Sequence, residues 1–138
     1  MILIHQAPIK RQYVEIDQLK KRVAMLKIYA GMDRDLIDFI AQANYDGVVL
    51  EGLGQGNVPP LVADAIENLL HRKIPVVLVS RCFNGIAEGV YGYTGGGKSL
   101  EDAGVIFATG INGQKARLKL LIGLNQKDVP MNLKKFFQ

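Results

Sequence analysis

Two glycine-rich segments contain the residues that are best suited to bind a ligand. Residues 52–57 read GLGQGN and fit part of the dinucleotide-binding fingerprint, although Asn57 stands where its third glycine is expected. Residues 92–99 read GYTGGGKS, which is the spacing of a phosphate-binding loop. Either pattern would direct backbone amides toward a phosphate. Asn57 also indicates a simpler chemistry, because a side-chain amide both donates and accepts hydrogen bonds.

The positions of these patterns weaken a nucleotide-binding interpretation. A phosphate-binding loop should leave a strand directly, but the preceding predicted strand ends near Ser80, well before Gly92. The sequence after Lys98 offers no apolar strand that ends in aspartate to serve a magnesium ion. Ser80 and Arg81, at the end of the strand after the 52–57 loop, could still bind a ribose phosphate. A nucleotide-binding module therefore remains an alternative.

The sequence contains no convincing catalytic constellation. The hydroxyl side chains other than tyrosine are Ser80, Thr94, Ser99 and Thr109. None of them lies in a Gly-x-Ser-x-Gly elbow, and His5 and His71 are too isolated to suggest a triad or a zinc site. Cys82 follows a strand, but a lone cysteine among apolar residues is more often structural. We therefore predict binding loops with no catalytic residue, metal or cofactor in this chain.

Hydrophobic patterning predicts alternating strands and helices that would position these loops. The predicted strands are residues 23–29, 47–51, 74–79 and 105–107. The predicted helices are residues 34–44, a helix that starts at Pro59 or Pro60 and ends near residues 71–73, a short stretch after Ser99, 113–124 and 130–137. Asp33, Ser99 and Asn112 are the predicted helix caps. In the first helix one face contains Leu36, Ile37, Ile40 and Ala41.

This alternation predicts a three-layer α/β fold, Rossmann-like or flavodoxin-like, with a parallel sheet of about four strands flanked by helices. In such folds ligand-binding loops lie at the carboxyl ends of the strands. Here those loops are residues 52–57 and 80–98, which we expect to share one edge of the domain. Residues 1–22 are predicted to be a linker or edge segment, and residues 23–138 the α/β domain.

Composition limits the protein class and its partners. The chain has 138 residues, 49% of them hydrophobic, which predicts one folded domain rather than a disordered chain. Its net charge is +4, but the basic residues near the end are not interleaved with aromatic ones, so no nucleic acid is expected as a partner. No apolar stretch approaches the roughly 20 residues of a membrane span. A single cysteine fits a reducing compartment, so we expect a cytoplasmic protein without membrane contact.

Several segments, in order, resemble the L-asparaginase/glutaminase family. Residues 46–59, DGVVLEGLGQGNVP, resemble its signature loop, and the other matching segments are residues 28–33, 75–81, 103–106 and 113–117. The resemblance is to the smaller carboxyl-terminal domain of the bacterial cytosolic-type L-asparaginases, which hydrolyse L-asparagine to L-aspartate and ammonia. It implies that the catalytic threonines belong to a larger amino-terminal domain, whose Thr-Gly-Gly-Thr motif is absent from this sequence. Residues 1–22 would then be an interdomain linker, and the chain alone would be inactive.

The family resemblance also implies roles for particular residues. Asn57, with the adjacent Gly56, would contact the amino-acid end of L-asparagine in the active site of a partner subunit. Tyr91 or Tyr93 would supply a second contact, and Arg81 with Cys82 would lie near an allosteric asparagine site. The implied assembly is a homodimer or homotetramer. A subunit of an asparaginase-like amidotransferase that acts on misacylated transfer RNA is the other family member to consider.

Overall fold

The computed structural model describes residues 11–83, 85–127 and 130–138. Within these residues the strands are β1 (Val23–Lys27), β2 (Gly47–Gly52), β3 (Val76–Ser80) and β4 (Ile106–Phe107). The helices are α1 (Asp35–Gln42), α2 (Pro60–His71), α3 (Gly97–Ala103), α4 (Gly113–Leu124) and α5 (Leu133–Phe137). The predicted order of elements is confirmed, and most elements differ from their predicted bounds by a few residues.

The described strands form one parallel sheet in the order β1-β2-β3-β4. Val49 in β2 lies opposite Met25 on one side and Val77 on the other. Each strand is joined to the next through a helix, and right-handed crossovers that advance in one direction place those helices on the same face. Helix α4 covers the opposite face, where it contacts β1, β2 and β3. The three-layer α/β class is therefore confirmed.

Two hydrophobic cores lie on the two faces of the sheet, because successive side chains of a strand point in opposite directions. Leu50 and Leu78 pack with the residues of α1 and α2 in the first core. Val49 and Val77 pack with α4 and α5 in the second core. Both faces of β2 and β3 are thus covered, which explains why these strands are continuously apolar in the sequence.

The predicted helix caps have different outcomes. Asn112 caps α4 as expected, since its Oδ1 accepts a hydrogen bond from the Lys115 amide at 2.9 Å. Asp33 accepts from the Asp35 amide at 3.1 Å, although the residue that precedes α1 is Arg34. The prediction for Ser99 is wrong, because α3 already begins at Gly97. As a helical residue, Ser99 donates its hydroxyl back to the carbonyl three residues earlier, at 2.9 Å.

Residues 11–22 form no strand, and residues 1–10 of the predicted linker or edge segment lie outside the described residues. The described part runs along the carboxyl-terminal end of α4. The Glu15 carbonyl accepts from the Lys127 amide at 2.8 Å, and the Lys20 amide donates to Asn125 Oδ1 at 2.9 Å. Across the three described ranges, no helix is both long and apolar enough to cross a membrane.

Candidate functional site

The loops that follow β2 and β3 meet at the carboxyl edge of the sheet. The Glu88 amide donates to the Gln55 carbonyl at 2.9 Å, and Ser80 Oγ donates to the Gly54 carbonyl at 2.5 Å. The backbone of the 52–57 loop is therefore hydrogen-bonded to the first residue and to the middle of the 80–98 segment. The sequence-based expectation that these two segments share one edge is confirmed.

The 52–57 loop is a closed turn with a fixed conformation. The Leu53 carbonyl accepts from the amides of both Gly56 and Asn57 at 2.9 Å, and the Leu53 amide donates to the Asn57 carbonyl at 2.8 Å. Gly56 has φ +102°, and a Cβ atom there would lie 2.5 Å from Leu78 Cδ2. Gly56, predicted to be a binding residue, is thus required by close packing on the core beneath the loop. The amides of Leu53, Gly56 and Asn57 are already bonded within the turn, so they are not available to a dinucleotide.

Asn57 is half-buried between the two segments. Its Oδ1 accepts from the Gly97 amide at 3.3 Å, and the next residue, Val58, donates its amide to the Gly95 carbonyl at 2.9 Å. Asn57 therefore helps to hold the start of α3 against the 52–57 loop. In the described part of the chain its Nδ2 has no acceptor, so the amide retains a donor for a ligand.

The three consecutive glycines at 95–97 are explained by close backbone contacts rather than by phosphate binding. A Cβ atom on them would lie 2.3 to 2.5 Å from the carbonyl oxygens of Val58, Tyr91 and Glu88, respectively. The Gly96 amide donates to the Tyr93 carbonyl at 2.7 Å, and the Lys98 amide to the Tyr91 carbonyl at 2.9 Å. These two amides are already hydrogen-bonded to carbonyls of the preceding loop, so they are not free to bind a phosphate.

Lys98 and Ser99, the other residues of the phosphate-loop pattern, already make contacts within the protein. The Lys98 ammonium group pairs with the Asp102 carboxylate one turn later in α3. This hydrogen bond, more than the charge of Asp102, raises the pKa of Lys98. Ser99 Oγ donates to the carbonyls of Tyr93 and Gly96. Both residues therefore stabilise the start of α3 in this structure.

Tyr91 and Tyr93 present their rings to solvent near this edge. Their exposed fractions are 48% and 56%, and the ring centroids lie 6.0 Å apart with an angle of 42° between the planes. Their carbonyls accept hydrogen bonds from the first residues of α3, which also contact Asn57. The structure thus brings both tyrosines to the edge that contains Asn57, without distinguishing their roles.

Arg81 and Cys82, the predicted allosteric residues, follow β3 directly. The Arg81 Nη1 donates to the Ile28 carbonyl at 3.0 Å and so connects the end of β3 with the end of β1. The Cys82 amide donates to Ser80 Oγ at 3.1 Å, and its side chain is exposed. Arg81 therefore already makes a structural hydrogen bond between two strands, whereas the Cys82 thiol is accessible to solvent.

Two residues near the carboxyl ends of the strands make contacts that the sequence analysis did not predict. Ser80 connects the loops through its hydroxyl, as described above, and its position at a strand end was the available signal. Glu51 places its carboxylate beside Gly113, where a Cβ atom would lie 2.5 Å from Oε1, and 3.7 Å from Lys27 Nζ. An acidic group at the amino end of α4 interacts favourably with the helix dipole. Nothing in the periodicity of β2 could have revealed this contact.

The described residues contain no cluster of three or more histidine, cysteine, aspartate or glutamate side chains arranged to hold a metal ion. The resolved pKa shifts belong to residues outside the 52–57 loop. A hydrogen bond to Asp38 raises the pKa of Arg34, and burial lowers the pKa of Lys119. Among the described residues, this edge offers the amide of Asn57, the exposed rings of Tyr91 and Tyr93 and the exposed thiol of Cys82.

The match to a known family covers both loops. A sequence profile of the glutaminase/asparaginase carboxyl-terminal domain matches residues 22–137. The chain belongs to the glutaminase/asparaginase family. The match begins one residue before β1 and ends at the last residue of α5, so it includes the whole described sheet. The resemblance inferred from the sequence motifs is confirmed.

Relatives with two different names are similar to this chain. A probable L-asparaginase from Deinococcus radiodurans is 41% identical over 107 residues, which are 78% of this chain and 32% of that protein. An L-asparaginase from Bacillus licheniformis is 29% identical over 121 residues, 88% of this chain and 38% of that protein. A glutamyl-tRNA(Gln) amidotransferase subunit from Pyrococcus furiosus is 34% identical over 106 residues, 76% of this chain and 24% of that protein. The alignments thus cover 24% to 38% of the length of these relatives.

Proposed function

We propose that this domain forms the carboxyl-terminal part of an L-asparaginase and contributes loop residues to an active site completed by the catalytic domain of a partner subunit. The observation that carries the proposal is the pair of interlocked loops at the carboxyl edge of the sheet. They hold Asn57 half-buried, with an unused amide donor, beside two exposed tyrosines. Such an edge can bind a polar ligand, but among its described residues no hydroxyl or thiol is hydrogen-bonded to a side-chain base.

The proposed reaction is the hydrolysis of the side-chain amide of L-asparagine. By family resemblance, a threonine hydroxyl of the amino-terminal domain attacks the amide carbon, ammonia leaves, and water then releases L-aspartate from the acyl-enzyme. Asn57 takes part by binding, since its Nδ2 is suited to donate to a carboxylate oxygen at the amino-acid end of the substrate. Tyr91 or Tyr93 would cover the same ligand.

The proposed assembly is a homodimer or homotetramer in which each subunit lends its 52–57 loop to another. Sharing of this kind is natural in a symmetric oligomer, because the same contact occurs twice. We propose a cytoplasmic location on the basis of the single, exposed cysteine. Asparagine binding near Arg81 and Cys82 stays a prediction, which isothermal titration of the Arg81→Ala variant would test.

The names of some relatives favour a second candidate function. Proteins named as glutamyl-tRNA(Gln) amidotransferase subunits match this chain at 32% to 35% identity. A domain with that role would support amide transfer on misacylated transfer RNA. The basic residues near the end give this candidate little support, because Arg117 Nε donates to the Val23 carbonyl and Lys127 contacts Glu15 and Asp17. Ammonia release from free L-asparagine, without transfer RNA, would favour the asparaginase.

A chimeric enzyme tests the proposed function. Residues 22–138 of this chain would replace the matching segment of the Deinococcus radiodurans relative, and ammonia release from L-asparagine would be measured. We expect activity from the chimera and none from the 138-residue chain alone. A folded chimera that hydrolyses no L-asparagine would contradict the proposal.

Asn57→Ala in the chimera tests the role of the loop. We expect kcat/KM to fall by the equivalent of about 1–3 kcal/mol, which is the cost of losing a buried hydrogen bond to a ligand. Asn68→Ala is the matched control, because Asn68 is exposed toward the carboxyl-terminal end of α2, away from both loops. Equal kinetics of the two variants, with a lower melting temperature for Asn57→Ala, would indicate a purely structural residue.

A further inference from the structure

Strand β1 is one edge of the described sheet, and large apolar side chains surround it. Met25 on β1 is 36% exposed, Leu36 and Phe39 on α1 are 45% and 61% exposed, and Leu118 on α4 is 54% exposed. These four side chains line a groove along the strand. An open sheet edge can pair with a strand from another molecule, and natural proteins usually protect such edges.

The hydrogen bonds to β2 determine which backbone groups of β1 face outward. Ile28, immediately after the strand, donates its amide to the Glu51 carbonyl in β2 at 2.9 Å. Successive residues of a strand direct their N–H and C=O groups to opposite sides. The groups that face away from β2 therefore belong to the residues at odd positions, namely Val23, Met25 and Lys27.

These outward-facing positions are self-complementary about a two-fold axis. If a second β1 lies antiparallel with the axis beside Met25, Met25 faces its own copy and Val23 faces Lys27. Each of these pairs is of the hydrogen-bonded kind, because the three residues are spaced by two. The Val23 carbonyl already accepts from Arg117 Nε at 2.9 Å, but a carbonyl oxygen has a second lone pair. One continuous sheet would then extend through both copies.

The charges of α1 favour the same arrangement. Asp33 and Asp35 are exposed at its amino-terminal end. Arg22 lies at its carboxyl-terminal end, where Nη1 donates to the Ala43 carbonyl at 2.9 Å. The two-fold axis sets α1 antiparallel to its copy, so the acidic end of each helix approaches the basic end of the other. Complementary potentials of this kind orient partners and exclude the parallel arrangement.

The face of the sheet that is covered by α4 is also compatible with the antiparallel pairing of two β1 strands. There, Lys27 of one copy would approach the side of β1 where Arg117 of the other copy is bonded. Glu51, on the β2 side of Lys27, lies 3.7 Å from its ammonium group and offsets part of its positive charge. The exposed Leu118 side chain on α4 would be covered on this face, as Phe39 would be on the other.

We propose that a second copy of this chain docks along β1, in an isologous dimer whose two-fold axis passes beside Met25. The contact consists of antiparallel β1 pairing flanked by the exposed apolar residues of α1 and α4. It does not depend on the proposed asparaginase activity, since neither the 52–57 loop nor the 81–98 segment takes part.

Disulfide cross-linking of the full chain tests the position of the axis. In a Cys82→Ser background, Met25→Cys should form an intermolecular disulfide under mild oxidation, because the Cα atoms of a hydrogen-bonded antiparallel pair are about 5.5 Å apart. Lys27→Cys is the control on the same edge. Its copy would be displaced by four residues, or about 13 Å, along the partner strand, which is too far to bridge. Equal cross-linking of both variants, or of neither, would overturn the proposal.

Sedimentation equilibrium tests the contact without new cysteines. We expect the wild-type chain to dimerise, and Phe39→Glu to raise the dimer Kd by at least about tenfold. Leu61→Glu should leave the Kd unchanged, because Leu61 is 53% exposed on α2, away from β1. A strictly monomeric wild-type chain, or a dimer insensitive to Phe39→Glu, would overturn the proposal. So would a chain that dimerises only after removal of residues 1–10, since that result would assign the groove to this segment.

Discussion

Substituting Gly56 by alanine should destabilise the domain far more than the same change at Gly54, although both glycines lie in one loop. Both have positive φ, +102° at Gly56 and +52° at Gly54, and this conformation costs an L-residue about 1–2 kcal/mol. At Gly54 nothing lies within 4 Å of a new Cβ atom. At Gly56 that atom would lie 2.5 Å from Leu78 Cδ2 and 2.9 Å from Phe107 Cε1.

Overpacking of this kind adds about 1–3 kcal/mol. We therefore expect Gly56→Ala to lower the free energy of unfolding by about 2–5 kcal/mol, and Gly54→Ala by about 1–2 kcal/mol. Urea denaturation of the two variants and the wild-type chain measures both values, with Gly54→Ala as the control for the backbone effect. Equal losses in the two variants would refute the argument that the loop is packed directly on Leu78 and Phe107.

Two further predictions concern α4. Asn112→Ala should lower the free energy of unfolding by about 0.5–2 kcal/mol, because it removes the helix-capping hydrogen bond to the Lys115 amide. Urea denaturation measures this loss, with Asn68→Ala as the control. A loss no larger than that of Asn68→Ala would contradict the capping role. The second prediction concerns Lys119, whose pKa is lowered by burial. Between that lowered pKa and about 10.4, the unfolded chain binds more protons than the folded chain. The free energy of unfolding of the wild-type chain should therefore rise with pH through this window. The stability of Lys119→Met relative to wild type should therefore decline as the pH rises through this window. A pH-independent difference between the two proteins in urea denaturation would refute the burial argument.

The order of the elements could be predicted because the patterns that define them, apolar runs in strands and capping residues before helices, are local in the sequence. Val76 and the next three residues are apolar in succession, as expected for a strand covered on both faces. Asn112 was recognisable as a cap because it precedes an apolar helix and its own side chain makes the bond. The carboxyl-edge rule for parallel sheets was sufficient to place the two loops together.

The remaining features depend on contacts between distant segments. Ser99 was expected to cap α3, but the helix begins earlier because Gly95 and Gly97 pack on the carbonyls of Val58 and Glu88. Helical spacing grouped Leu36 with the buried residues of α1, yet it is 45% exposed because no element lies beyond β1 in the described sheet. Single-segment patterns contain no information about either contact.

Subunit complementation in the chimera tests the central claim, that the edge with Asn57 serves an active site on a partner subunit. One chimera would contain Asn57→Ala and should lose about 5- to 150-fold in kcat/KM, the equivalent of the 1–3 kcal/mol expected above. The other would contain a substitution of the catalytic threonine in its amino-terminal domain and should be inactive alone. If the site is shared between subunits, subunit exchange in an equal mixture should restore about a quarter of the intact sites, because half of the dimers are mixed and each has one undamaged site. No gain in ammonia release, despite demonstrated mixed dimers, would contradict the account.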